Sequence, residues 1–356
     1  GMNLREVVEK IGPEDQGARE EAHRRWSACA KPLGGLGFLE TVVENVAALT
    51  GSAAVDFSHR ALLVLCADNG VVAQGVTQSP SSVTAAVAGN LAAGRSSVCM
   101  MAKVARCRVV PVDMGILDFS GLPGLLDRRM GNGTQDISVG PAMTRRQAEQ
   151  AVLTGIELVR EQQEQGCRLL ATGEMGIGIT TTSSAVACML LGRQVQELTG
   201  RGAGLSDQGL RRKIEVIRRA IAVNRPDPED PLDVLSKLGG FDIAGLCGIF
   251  LGGALYGIPV LIDGVISSAA ALCAERLCPN SAKAMVASHV SQEPASRLLL
   301  EVLGKRPLIT AGMHLGEGTG AVAAIPLLDM ALAVYQGSST FDETGIEAYQ
   351  PLGGQP

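Results

Sequence analysis

The sequence predicts an α/β fold, a Rossmann-like parallel sheet with flanking helices. Three observations carry that prediction. Continuous apolar runs of strand length recur along the chain, each bounded by turn residues, as strands covered on both faces require. Stretches with helical spacing lie between the runs, and such alternation builds parallel βαβ units. Four of the five runs end in a carboxylate beside or near a glycine, at the sheet end where such folds bind ligands.

Taken in order, residues 3–30 read as helical and charged, anchored by Trp26, the one tryptophan. Lys31-Pro32-Leu33-Gly34-Gly35-Leu36-Gly37 breaks the helix into a loop. Helical spacing resumes over 38–49. The apolar run 61–67 ends in Asp68-Asn69-Gly70, and 109–112 ends in Asp113-Met114-Gly115. The run 168–172 ends in Gly173-Glu174, 256–262 in Asp263-Gly264, and 308–311 in Gly312. Helices are predicted over 83–104, 144–165, 183–191, 206–222, 241–255, 265–276 and 322–335, with a Pro/Asp turn over 224–231. The helix that opens at Phe241-Asp242 is rich in glycine and alanine, which suits close packing. Any one strand-tip carboxylate is an ordinary N-cap for the next helix. Four together favour an acidic crevice that binds hydroxyl groups.

Composition excludes several classes. The chain has 356 residues, 46% of them apolar, with 44 glycines and 3% aromatics, the profile of a small-residue-rich α/β enzyme of one large or two modest domains. A net charge of −5 without a long basic run argues against a nucleic-acid surface. Nine cysteines occur without a C-x-x-C pair. They read as free thiols of a reducing cytosol, with no disulfide frame and no zinc site. Four isolated histidines give no metal cage. No signal peptide is expected, and Gly1 before Met2 reads as a tag-cleavage scar. The longest apolar stretches carry glycines and an aspartate, so none reads as a membrane span.

Gly173-Glu174-Met175-Gly176-Ile177-Gly178-Ile179-Thr180-Thr181-Thr182 is the stretch around which the chain is organised. A strand runs into a glycine turn, and the turn opens a helix. Backbone N–H groups and the positive end of the helix dipole suit an anion such as phosphate there. It is neither a P-loop nor a G-x-G-x-x-G, since Thr181 takes the third glycine position. The plainer reading is a tight turn with a capped helix, which needs fewer glycines and threonines.

Gly200-Arg201-Gly202-Ala203-Gly204-Leu205-Ser206 is a second glycine loop, leading into a helix with Arg211, Arg212 and Lys213. One basic residue turned back at the phosphate would complete a cradle; a solvated helix face is the other reading. Residues 283–294 are more polar and bring His289 and Ser291 toward the crevice. In His314-Leu315-Gly316-Glu317-Gly318-Thr319-Gly320-Ala321 a lone carboxylate stands between glycines. Backbone can approach a ligand closely there, and a carboxylate in an apolar pocket has the raised pKa of a general base. An exposed loop glutamate is the alternative. His314 reads as a packing residue.

These motifs, with Asp68-Asn69-Gly70-Val71-Val72-Ala73-Gln74-Gly75-Val76 and Phe241-Asp242-Ile243-Ala244-Gly245, resemble nicotinate-nucleotide:dimethylbenzimidazole phosphoribosyltransferases, in order and over nearly the whole chain. The resemblance implies transfer of phosphoribose from nicotinate mononucleotide to a benzimidazole nitrogen in cobalamin lower-ligand assembly. It implies Glu317 as general base, Glu174 and Ser291 at the ribose, and Gly176, Gly202 and Lys213 at the phosphate. We place Gly178, Thr180, Asp242 and Asp263 with the substrate-binding set, and Thr77, Met175 and Leu315 in the base pocket. No metal or cofactor is implied. A cytoplasmic homodimer is, with an active site near the subunit interface. The resemblance also implies a small helical domain from both chain ends, 1–30 plus 322–356, beside a catalytic domain over 31–321. The chain departs from the family pattern at Asn69, where histidine is usual, at Thr77-Gln78-Ser79-Pro80, which lacks an aromatic, and at Ala86, where glutamine is usual. Those departures leave the accepting base open. Rival readings are the same chemistry on a purine or phenolic base, and a non-catalytic nucleotide-binding protein.

Overall fold

In the computed structural model, which describes residues 1–202 and 204–352, six strands form one parallel sheet. They are β1 (Ala61–Ala67), β2 (Arg108–Gly115), β3 (Leu126–Asp127), β4 (Leu170–Met175), β5 (Val260–Ile262) and β6 (Met285–Ala287). Their order is β3-β2-β1-β4-β5-β6. Central β1 pairs on both sides, Ala61 facing Arg108 on β2 and Leu170 on β4. Helices cover both its faces, so all seven of its residues are buried and the run is apolar throughout. The chain leaves β1 in one direction for β2 and β3, then returns past it to β4. That reversal opens a crevice at the carboxyl ends of β1 and β4.

Side chains alternate across the sheet with period two. Leu63 and Leu65 face one core, with helices Arg145–Glu164, Ile179–Leu191, Phe241–Tyr256 and Val265–Leu277. Leu62 and Val64 face the other, with helices Gln16–Ala28, Phe38–Thr50, Ser97–Val104 and Thr319–Gly337. Helices Arg145–Glu164 and Phe241–Tyr256 pack backbone to backbone. A Cβ on Gly248 would overlap the Val152 carbonyl, and one on Gly155 the Gly245 carbonyl.

Several boundaries differ from the sequence reading. The run 308–311 is not a strand of the sheet; the sixth place belongs to Met285–Ala287. Ile309 makes only an isolated bridge to His289. Three residues of β6 inside a polar segment, and two residues of β3, are too short to leave a periodic signal. The stretch 83–104 forms two helices, the first ending before Gly94 at φ +72°. Gly257 at φ +70° closes the preceding helix, which shortens the expected strand there to β5. Asp230 caps a helix, Pro231–Leu238, that starts at the end of the predicted turn.

The two chain ends meet. Trp26 and Tyr335 pack at 4.9 Å between ring centroids, and Cys29 bridges Thr340. Helix Phe38–Thr50 joins them through a hydrogen bond from Trp26 Nε1 to the Glu40 carbonyl (3.1 Å). Helix Leu4–Lys10 instead packs in the opposite core through Leu4 and Val7. Residues 353–356 of the expected small domain, and Ala203 of the second glycine loop, lie outside the described residues. Thr319–Gly337 has the length and hydropathy of a membrane span; here Val322, Ile325 and Leu328 are packed in the core beside Leu62.

Candidate active site

The glycine turn is built as a turn must be to lie flat on the sheet end. A Cβ on Gly176 would lie 2.5 Å from the Ala67 carbonyl oxygen and 2.7 Å from Asp242 Oδ2, and Gly178 has φ +91°. Among the described residues no side chain caps helix Ile179–Leu191, so its first N–H groups stay available at the positive end of the dipole. Of the three basic residues on helix Asp207–Asn224, Arg211 and Arg212 are exposed and Lys213 is buried. Lys213 Nζ donates to Thr180 Oγ1 (3.1 Å) and to the Gly200 carbonyl (2.8 Å). A Cβ on Gly202 would sit 3.1 Å from Thr180 Oγ1 and 3.7 Å from Lys213 Nζ. The two glycine loops, Thr180 and Lys213 therefore converge. Burial pulls the Lys213 ammonium down to about 8, against the charge of Glu293.

The strand-tip carboxylates divide by what they bond. Asp68 accepts from Thr84 Oγ1 (2.7 Å) and the Leu117 N–H (2.8 Å). Asp113 accepts from two backbone N–H groups and pairs with Arg129 at 2.8 Å. Both are taken up by structure. Asp263 reaches the final glycine motif, accepting from the Gly318 N–H (3.1 Å) and the Ala321 N–H (3.0 Å). It thus caps helix Thr319–Gly337, not the helix that follows it in sequence. His289 stands behind it, Nε2 3.8 Å from Asp263 Oδ1, with its ring where a Cβ on Gly320 would go. The acidic crevice is therefore narrower than the sequence suggests: Glu174 and Asp263 line it with Glu293, while Glu317 lies beside them on the final glycine motif and is not among the lining residues.

Glu317 is held in a left-handed conformation at φ +61°. Its carbonyl oxygen would lie 2.6 Å from a Cβ on Gly173, so the motif rests directly on β4. Among the described residues its buried Oε1 has no hydrogen-bond partner. Burial, then the charge of Asp263, pushes its carboxyl up. Glu174, 8% exposed, is pushed up to about 8 by burial, then by the charges of Asp263, Asp242 and Glu317.

A cavity of about 100 Å³ is lined by Glu174, Asp263, Ser291, Glu293, His314 and Leu315 among others. Asp242 is not at this cavity. It is fully buried beneath the turn, accepting from Asn69 Nδ2 (3.2 Å) and the Ile243 N–H (2.8 Å), and burial pushes it up to about 6. Its helix starts below Gly176, so its carboxylate supports the turn instead of facing a ligand. The residues expected to form a base pocket are dispersed. Leu315 lines the cavity and is 53% exposed. Met175 packs on the second core, and Thr77 is half-buried in a loop, accepting from the Ser79 N–H. A second hollow of about 280 Å³ is lined by Asp68, Asn69, Gly70, Val72, Ser81 and Thr134, among others. Gln78 and Ala86 are exposed. Sequence reasoning passed over Glu293, whose one signal is a carboxylate just before Pro294, the first residue of a helix.

A 3-2-1-4-5-6 sheet with a buried lysine between two glycine loops and high-pKa carboxylates at its carboxyl end has the form of a nucleotide-handling α/β enzyme. A family model described as Phosphoribosyltransferase matches residues 11–346. A protein of Ruminiclostridium cellulolyticum named nicotinate-nucleotide–dimethylbenzimidazole phosphoribosyltransferase is 44% identical over 351 residues, 99% of this chain and 100% of that one. One of the same name from Roseiflexus sp. is 44% identical over 344 residues, 96% and 98% of the two chains. The crystal structure of CobT from Thermus thermophilus superposes with a TM-score of 0.89 at 39% identity, covering 94% of this chain and 100% of that one. The chain belongs to this phosphoribosyltransferase family.

Proposed function

We propose that the enzyme transfers the phosphoribosyl group of nicotinate mononucleotide to 5,6-dimethylbenzimidazole or a similar base, giving α-ribazole 5′-phosphate and nicotinate. The names of the relatives support these substrates. One observation carries the chemistry: a buried carboxylate oxygen of Glu317 without a partner among the described residues, on a glycine-flanked turn beside Glu174. Glu317 takes the proton from one ring nitrogen of the base, and the other nitrogen attacks C1′ of the ribose. The bond from C1′ to the nicotinate nitrogen breaks, and its electron pair neutralises the pyridinium. Direct displacement inverts C1′, from the β-donor to the α-product. The leaving group needs no proton, so one base and no nucleophile suffice. Glu174 and Ser291 hold the ribose. Gly176, Gly178, Thr180, Gly202 and Lys213 hold the phosphate. Asp263 positions the Glu317 turn, Asp242 supports the glycine turn, and Leu315 meets the base.

A raised pKa suits Glu317 to this role, because a base is most effective near the working pH. Glu317→Gln keeps the shape and removes the proton acceptor. Turnover is expected to fall about 10²–10⁴-fold, the usual contribution of a positioned base, with donor affinity near parental. The contribution of Glu317 to the acid limb of the parent profile lies above the ordinary carboxylate range, since burial favours the protonated form, and is lost in the variant. Single-turnover release of nicotinate between acid and neutral pH measures both. A loss below about tenfold, beneath that range, leaves Glu317 as a positioning residue. A panel of benzimidazoles, purines and phenols in the same assay identifies the accepting base. We further propose a homodimer with its active site near the interface, in a reducing cytoplasm that suits nine buried, free cysteines.

A further inference from the structure

The loop that carries Ser291 also carries Glu293, which no step of the proposed reaction uses. Glu293 precedes helix Pro294–Leu303 but its side chain does not cap that helix. Its carboxylate reaches across to the second glycine loop instead. Oε2 lies where a Cβ on Gly200 would go, so the carboxylate is seated directly on that backbone. Burial pushes its carboxyl up, and the charge of Lys213, then that of His314 and the Gly202 N–H, pull in the opposite direction. Lys213 Nζ holds the carbonyl of the same Gly200 at 2.8 Å. Glu293 and Lys213 thus bracket one glycine from two sides, and Glu293 also lines the cavity with Glu174 and Ser291.

A buried ammonium needs an opposite charge nearby. Within the bonds that Lys213 makes, Thr180 and Gly200 supply only dipoles. Glu293 is the carboxylate whose charge acts on it. We propose that Glu293 is the resident anion of the phosphate cradle: its carboxylate sits on the Gly200–Gly202 backbone opposite Lys213 until the donor's phosphate displaces it. The inference rests on the phosphate-cradle reading given above. Its consequence is selectivity. A phosphate monoester brings up to two charges and three acceptor oxygens, enough to displace one carboxylate from the loop. A nucleoside without the phosphate has no anion with which to displace it, so the cradle stays closed to it. The exchange also weakens donor binding by a fixed amount, which keeps release fast.

Calorimetric titration of inorganic phosphate into the parent, Glu293→Gln and Lys213→Ala proteins tests this. Glu293→Gln conserves the shape and is expected to bind phosphate on the order of tenfold more tightly, about 1.4 kcal/mol. KM for nicotinate mononucleotide falls with it, without a rise in kcat. Lys213→Ala binds phosphate more weakly than the parent. Equal or weaker phosphate binding by Glu293→Gln, repeated in Glu293→Ala, overturns the inference and makes Glu293 a support of the loop. Phosphate binding that is indifferent to Lys213→Ala overturns the cradle itself, a failure visible in a different variant.

Discussion

Glu174 is a carboxyl that folding makes hard to ionise. In an unfolded chain a glutamate ionises near about 4.3; in the fold Glu174 is held up to about 8, by burial first and then by Asp263, Asp242 and Glu317. Between those two values the folded protein binds more protons than the unfolded chain. Stability contributed at low pH is therefore lost as pH rises through that window. Glu174→Gln removes the titration while keeping size and polarity. It is expected to be more stable than the parent at pH 8, by on the order of 1 kcal/mol or more, since a tenfold change in proton affinity is worth about 1.4 kcal/mol. The advantage shrinks toward pH 5. Urea unfolding at both pH values reads the difference, and a pH-independent difference refutes the account. Of the residues at the candidate site, the sequence shows some and hides others. Lys213 shares the helical stripe of Val216, Ile217 and Ala220, so its burial is written in the spacing. Asp242 and Asp263 are both carboxylates at element ends. Only the packing of distant segments sends one beneath a turn and the other to a helix that starts 56 residues later, at Thr319.

At the scale of elements, long apolar runs were legible and short ones were not. β1 spans seven buried residues and reads plainly as a strand. β6 spans three, and its place in the sheet comes from pairing with β5 rather than from local preference. The run 308–311 has the right composition, but Leu308 and Ile309 both donate to the Ser288 carbonyl, beyond the end of β6. Glycines mark the closest helix pair. Alanine is favoured over glycine in a helix by about 1 kcal/mol, yet Gly248 lies against the Val152 carbonyl with no room for a Cβ. Gly248→Ala forces helix Phe241–Tyr256 away from Arg145–Glu164. A cost of about 1–3 kcal/mol is expected, the usual penalty of overpacking. Thermal unfolding measures it. A stabilised variant means that propensity outweighs the contact. Asp242 starts the same helix, so displacement also loosens the support under Gly176, and donor binding weakens together with stability.

At the scale of the whole molecule, the proposed chemistry calls for a closed site. The role proposed for Glu317 requires a carboxylate shielded enough to keep a high pKa. In the single chain the cavity beside it is lined by Glu174 at the end of β4, by Asp263 and by Leu315, which is 53% exposed. An exposed apolar side chain two residues from the proposed base is suited to contact with the accepting base or with a second chain. The proposed homodimer, with its active site near the interface, supplies that second chain. It makes a prediction that a self-sufficient monomer does not. Activity per chain is expected to fall on dilution in step with the dimer fraction, while circular dichroism shows each chain still folded. Sedimentation velocity across the same concentrations supplies the dimer fraction. Leu315→Asp, a charge placed at the mouth, is expected to lower turnover and to move the dissociation midpoint to higher concentration. If the variant loses turnover with an unchanged midpoint, Leu315 serves the base alone. A monomer that keeps full activity at high dilution removes the second chain from the chemistry, and the site must then be closed by its own loops.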